Sequence, residues 1–217
     1  MRAGTECLRP SEIETASFQI IDSLLPPPRR YEGYLWEVAR RMIHTAGDIS
    51  ILENIELTRE ALDSGISALL RGCTIYTDTE MAACGIPKRR LTPFGCTVTA
   101  LMRLPGIEQL ARARNVTRSR MGIEMIQNDF AGAILVIGNA PTALFALLEC
   151  LQKGACAPAL IIGMPVGFVQ AKEAKDLLHR TSYPHFTLLG MRGGSALAAS
   201  CVNALLDICL RTNGTGL

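Results

Sequence analysis

Of the three histidines in this 217-residue chain, His44 has the setting best suited to moving a proton. It stands in the segment RRMIHTAGD (40–48), which reads as the end of a helix with Gly47 in the C-cap region. The negative end of a helix dipole favours a protonated imidazole. That form suits a general acid working near neutral pH. The same position also suits a histidine that only caps its own helix. His179 and His185 lie in polar or proline-containing surroundings and read as surface or packing side chains.

Other side chains are able to hold an anion. Arg118 and Ser119 occur in NVTRSRMGIEM, and a guanidinium pairs with a carboxylate through two parallel hydrogen bonds. Arg192 lies inside a glycine-rich stretch, from which a long side chain reaches the edge of a sheet. Ser17 is a hydroxyl beside the apolar run SFQII, and Arg40 and Thr45 flank His44. Each of these alone is more often a solvated charge or a helix-face hydroxyl.

Three loops share one grammar: Gly138-Asn139-Ala140-Pro141-Thr142, Gly163-Met164-Pro165-Val166-Gly167, and Gly190 through Ser195. Glycine lets a ligand approach the backbone closely, and Pro141 fits a first helical turn. Asn139 or Thr142 can cap that helix or touch a ligand. Free amides at helix starts attract carboxylates. Tight strand-to-helix turns would have the same composition, but three on one sheet edge favour an anionic ligand.

The elements that position these residues follow from hydrophobic period and punctuation. Ser11 and Glu14 predict a capping box for a helix through about Leu25, stopped by Pro26, Pro27 and Pro28. A second helix is expected from Tyr31 to Ile43, with Leu35, Val38, Ala39 and Met42 on one face. A third is expected over Thr58–Arg71, then a strand over Cys73–Thr77 and a short helix from Asp78 to Cys84. The second half repeats one unit three times, over Gly132–Gly154, Ala157–His179 and His185–Leu210. Each is an apolar strand, a glycine loop and an Ala/Leu-rich helix. Right-handed crossovers between such units give a three-layer α/β/α domain with a mainly parallel sheet, here preceded by a helical segment. No flexible interdomain linker is evident, so residues 1–210 read as one domain and 211–217 as a disordered tail.

Composition removes several functions. The apolar fraction of 48% supports a full core, while aromatics at 5% leave it to small aliphatic residues. A formal charge of +2 without a basic block argues against nucleic acid. The amino-terminal residues lack an apolar signal core, and apolar runs look too interrupted to cross a membrane, so the expectation is a cytoplasmic protein. Eight cysteines contain no C-x-x-C pair and read as reduced, buried thiols; no metal site is expected. G-x-G-x-x-G, the P-loop pattern and G-x-S-x-G are all absent. This counts against a nicotinamide dehydrogenase, a nucleotide hydrolase and an α/β-hydrolase.

Seven collinear segments resemble the precorrin-8X (cobalt-precorrin-8) methylmutase family of corrin-ring biosynthesis. They are SFQII (17–21), RRMIHTAGD (40–48), YTDTEMAACGI (76–86), TRS (117–119), VIGNAPTAL (136–144), PALIIGMPVGFVQAKEAK (158–175) and RGGSALAA (192–199). The resemblance implies an isomerase that needs no separate cofactor. It would move a methyl group between adjacent carbons of precorrin-8X or cobalt-precorrin-8, giving hydrogenobyrinate or cobyrinate. It implies His44 as the catalytic acid, and Ser17, Arg40, Thr45, Arg118, Ser119, Asn139 and Arg192 as substrate contacts. It also implies a homodimer with the site at the subunit interface. A tetrapyrrole carrier without activity would share the binding residues; an intact His44 distinguishes the enzyme.

Overall fold

The computed structural model describes residues 9–213. Six strands form one sheet: β1 (Ile55–Leu57), β2 (Thr74–Thr77), β3 (Thr97–Ala100), β4 (Ile134–Ile137), β5 (Leu160–Gly163) and β6 (His185–Leu188), in the order β1-β6-β5-β4-β2-β3. All neighbours pair in parallel except β1, which runs antiparallel to β6 at the edge. Every residue of β4, β5 and β6 is buried, as expected of central strands covered on both faces. Their side chains alternate between two cores. Ile134 and Val136 face one, and Leu135 and Ile137 the other.

Among the described residues, ten α-helices complete the layers. On one face lie α2 (Gly33–Ala46), α3 (Arg59–Leu70), α4 (Glu80–Cys84) and α10 (Ser195–Thr212). Outside them are α1 (Pro10–Leu24) against α2 and the single turn α5 (Lys88–Leu91). The other face carries α7 (Arg118–Met125), α8 (Pro141–Gln152) and α9 (Ala171–His179), with α6 (Ile107–Ala113) against α7. The expected three-layer α/β/α architecture is the observed one.

Local chemistry explains most element ends. Thr58, Thr79 and Thr117 accept hydrogen bonds from the amides of Ala61, Ala82 and Arg120, capping α3, α4 and α7. Gly47 takes the left-handed conformation after α2, with φ of 63°.

Five expectations need correction. Helix α1 begins at Pro10, and Glu12 rather than Glu14 reaches back to the Arg9 amide. Glu14 instead grips Arg41 on α2. Helix α4 excludes Asp78, whose carboxylate is engaged elsewhere. Helix α10 runs past residue 210, with Arg211 ion-paired to Glu37; residues 214–217 of the expected tail lie outside the described residues. It is also an uninterrupted 18-residue helix apolar enough to cross a bilayer, but 72% of it is buried inside this fold, so it reads as the central core helix. Among the described cysteines, Cys96, Cys150, Cys201 and Cys209 are buried and Cys73 partly so, but Cys84 and Cys156 are exposed; none is in a disulfide.

Candidate active site

The antiparallel edge strand decides where His44 lies. Ile55 pairs with Leu188, and the Leu189 amide donates to the Asn54 carbonyl. The start of β1 therefore sits at the carboxyl end of β6. The turn from α2 into β1 is held to the same edge by Arg192, which donates to Asp48 Oδ2 at 2.5 Å and to Ser50 Oγ at 2.9 Å. His44, in the last turn of α2, thus stands on the side of the sheet where open α/β folds place their ligands. His185 opens β6 and lies at the opposite edge, buried with its Nδ1 2.7 Å from the Tyr183 carbonyl. Burial holds its imidazole below the usual pKa. His179 is exposed, with its ring centroid 6.0 Å away.

His44 is half-buried and firmly oriented. Its Nδ1 lies 2.8 Å from Ser17 Oγ, across the interface between α1 and α2. The Phe18 ring meets the imidazole edge-on, with centroids 5.4 Å apart. Arg40 and Arg41 lie over Phe18 at 4.5 and 5.2 Å. The Ser17 contact uses one ring nitrogen and leaves Nε2 for other chemistry.

A cleft of about 840 Å³ opens beside this group, lined by Phe18, Arg40 and Arg41 and by side chains of α5 and α10. Its volume falls in the range of small-molecule sites. Arg40 precedes His44 by one helical turn, a rise of about 6 Å along the axis. Phe18 is the shared wall: it packs on the imidazole and lines the cleft.

The other expected contacts divide into two groups. Ser17, Arg40 and Thr45 gather around His44, but each already has an internal partner. Arg40 binds Asp22 Oδ2 at 2.5 Å, and Thr45 Oγ1 donates to the Arg41 carbonyl at 2.8 Å. Arg192 joins this group through Asp48 and Ser50. Arg118, Ser119 and Asn139 lie with the helices of the opposite face. Thr117 and Thr142 Oγ atoms are 2.8 Å apart and tie the start of α7 to that of α8. Arg118 is exposed and bound to Glu108 at 2.9 Å; Asn139 is exposed at the start of the α8 turn.

The glycine loops are not the open amide cradles that their sequence suggests. Asp78 follows β2 and is almost fully buried. It accepts hydrogen bonds from the Gly138 amide at 3.0 Å and from the Asn139 and Ala140 amides at 2.8 Å each. The anion at this helix start is the protein's own carboxylate. Burial pushes its pKa up, against the pull of the three amides. The next two loops bond to each other, Gly194 to the Met164 carbonyl and Gly167 to the Met191 carbonyl. A Cβ on Gly193 would lie 2.2 Å from the Met164 oxygen, so only glycine fits. Beneath them Lys175, with no exposed surface, donates from Nζ to the Arg192 carbonyl at 2.6 Å. Burial lowers its pKa to about 8.

Phe18, Asp78 and Lys175 were not singled out from sequence. Lys175 carried a signal, because it shares the buried face of α9 with Ala171, Ala174 and Leu178. Asp78 had only its place after a strand.

Comparison with known proteins supplies the family. The precorrin-8X methylmutase family model matches residues 12–208. A cobalt-precorrin-8 methylmutase from Leptospira interrogans is 38% identical over 205 residues, covering 89% of this chain and 91% of that protein. A precorrin-8X methylmutase from Pseudomonas aeruginosa is 41% identical over 173 residues, covering 79% and 83%. The crystal structure of precorrin-8X methylmutase from Thermus thermophilus superposes with a TM-score of 0.85 at 36% identity, covering 93% of this chain and 97% of that one. With the match spanning nearly its whole length, this chain belongs to the precorrin-8X methylmutase family.

Proposed function

We propose that this protein is an isomerase that shifts a methyl group between adjacent carbons of precorrin-8X or cobalt-precorrin-8, with His44 as general acid. The observation that carries the reading is the fixed imidazole: Nδ1 is engaged by Ser17, and the ring shares Phe18 with an arginine-lined cleft. Proton delivery from Nε2 makes the conjugated macrocycle more electrophilic. The methyl then migrates with its bonding pair, and loss of a proton completes the isomerisation. No atoms are gained or lost, so the chemistry needs no separate reductant or oxidant. The protein's larger contribution is to hold a flexible ring in a reactive shape.

The active form in this proposal is a homodimer. Phe168 is 91% and Val169 78% exposed, on the loop that follows β5 at the ligand edge of the sheet. Val166 and Met191 extend this apolar surface. Such a patch supports association with a second copy. The same association offers a role for Arg118, Ser119 and Asn139, which would meet substrate bound at the partner's His44.

Incubation of the purified protein with precorrin-8X or its cobalt form, followed by visible absorbance, tests the activity. Conversion to the spectrum of hydrogenobyrinate or cobyrinate is expected. Tight binding with an unchanged spectrum would support a carrier instead.

A further inference from the structure

The arginine-lined cleft holds more positive charge than the fold can neutralise. Five arginines line it, at 40, 41, 89, 90 and 211, against the carboxylates of Glu14, Glu37 and Asp207. Four of the five have internal partners. Arg40 binds Asp22, Arg211 binds Glu37, and Arg41 binds Glu14. Arg41 and Arg90 also share the single carboxylate of Asp207. Because Glu14 also serves Arg41, Arg41 and Arg90 together meet two carboxylates, and the uncompensated charge in the cleft is that of the fifth arginine, Arg89. Burial and the adjacent Arg41 push Arg90 below the usual guanidinium pKa.

Arg89 differs from the others. It lies on the one-turn helix α5, is exposed, and among the described residues has no hydrogen bond or ion pair with a carboxylate. Its fork of donors is therefore open to a ligand. Phe18, the same ring that packs on His44, lines this cleft as well.

We propose that this cleft seats part of the carboxylated rim of the substrate, with Arg89 as a direct carboxylate contact. The inference rests on the methylmutase reading for the identity of the ligand. The ring of such a substrate carries acid side chains around its edge, and a guanidinium meets a carboxylate in a planar, two-point contact. The pairs already formed in the cleft serve a second purpose. Glu14, Asp22, Glu37 and Asp207 fix their arginines in place, so the cleft keeps its shape before the ligand arrives. Arg89 alone has its charge uncommitted. It acts on binding and register of the macrocycle, while His44 acts on the reacting carbons.

Calorimetric titration of the full-length protein with hydrogenobyrinic acid tests this, alongside the fully methyl-esterified form of the same ring. The ester keeps the ring and removes the negative charges. Arg89→Ala is expected to raise Kd for the acid about tenfold, and Arg89→Glu to raise it further. The acid's affinity should fall with added salt more steeply in the wild type than in Arg89→Ala. Ester binding should be the same in both. Because the side chain has no partner to lose, the variants should unfold at the wild-type temperature. If the wild type converts precorrin-8 and Arg89→Ala binds the acid with unchanged Kd and salt dependence, the cleft assignment is wrong while the methylmutase reading stands. If the wild type neither binds the acid nor converts the substrate, both fall together.

Discussion

Ser17 Oγ lies 2.8 Å from His44 Nδ1, which makes the hydroxyl part of the imidazole's own geometry. Sequence alone presents Ser17 as a substrate contact; the structure gives it a partner on the neighbouring helix. A histidine whose Nδ1 is held presents Nε2 in a fixed direction, and the hydrogen bond selects its tautomer. Ser17→Ala should therefore lower kcat about tenfold to a hundredfold, with a much smaller change in KM. Ser17→Thr, which keeps the hydroxyl, should recover part of that loss. Steady-state kinetics on the three proteins check this. A rise in KM at constant kcat would return Ser17 to substrate binding.

Asp78 is the anion of its own helix start. Asp78→Ala would leave three amides without their acceptor, at 138, 139 and 140. Unsatisfied buried donors are costly, so the loss should be about 3 kcal/mol or more in urea unfolding. A loss under about 1 kcal/mol would mean that water replaces the carboxylate with little penalty.

Lys175 makes stability depend on pH in a particular sense. Its folded pKa is lowered by burial from 10.5 to about 8. Below pH 8 both folded and unfolded chains hold the proton, and the full burial cost stands. From about 8 upward the folded chain releases it first. The unfolded chain then binds more protons, so this group's contribution to stability rises with pH. Comparison with Lys175→Met isolates it: the difference should move in favour of the wild type by about 2 kcal/mol between pH 8 and 9.5. A pH-independent difference would show that the amine is already neutral or remains fully charged throughout.

Phe168 gives the most direct handle on assembly. At 91% exposure it makes almost no internal packing, so Phe168→Asp should leave the fold intact. Sedimentation should find a dimer for the wild type at micromolar concentration and a monomer for the variant. A monomeric wild type would remove the shared site from the account.

The repeated strand–loop–helix units were legible because their strands are buried on both faces and read as unbroken apolar runs, as in Ile134–Ile137 and Leu160–Gly163. The edge strand β1 was not. Ile55, Glu56 and Leu57 form a strand only because β6 offers them backbone partners more than a hundred residues later. The site shows the same division. His44 and Gly47 declare a helix end locally. The use of Ser17 depends on a contact 27 residues along the chain, and that of Asp78 on amides 60 to 62 residues away. A glycine loop advertises free amides, but sequence does not say that a neighbouring strand will deliver a carboxylate to them.

The central claim is that His44 delivers the proton that triggers methyl migration. Single-turnover absorbance with precorrin-8, on wild type and His44→Ala, tests it most directly when paired with a binding titration on the same samples. The account predicts conversion by the wild type, and at least a hundredfold slower conversion by the variant with the substrate still bound. Conversion by His44→Ala at the wild-type rate would contradict it.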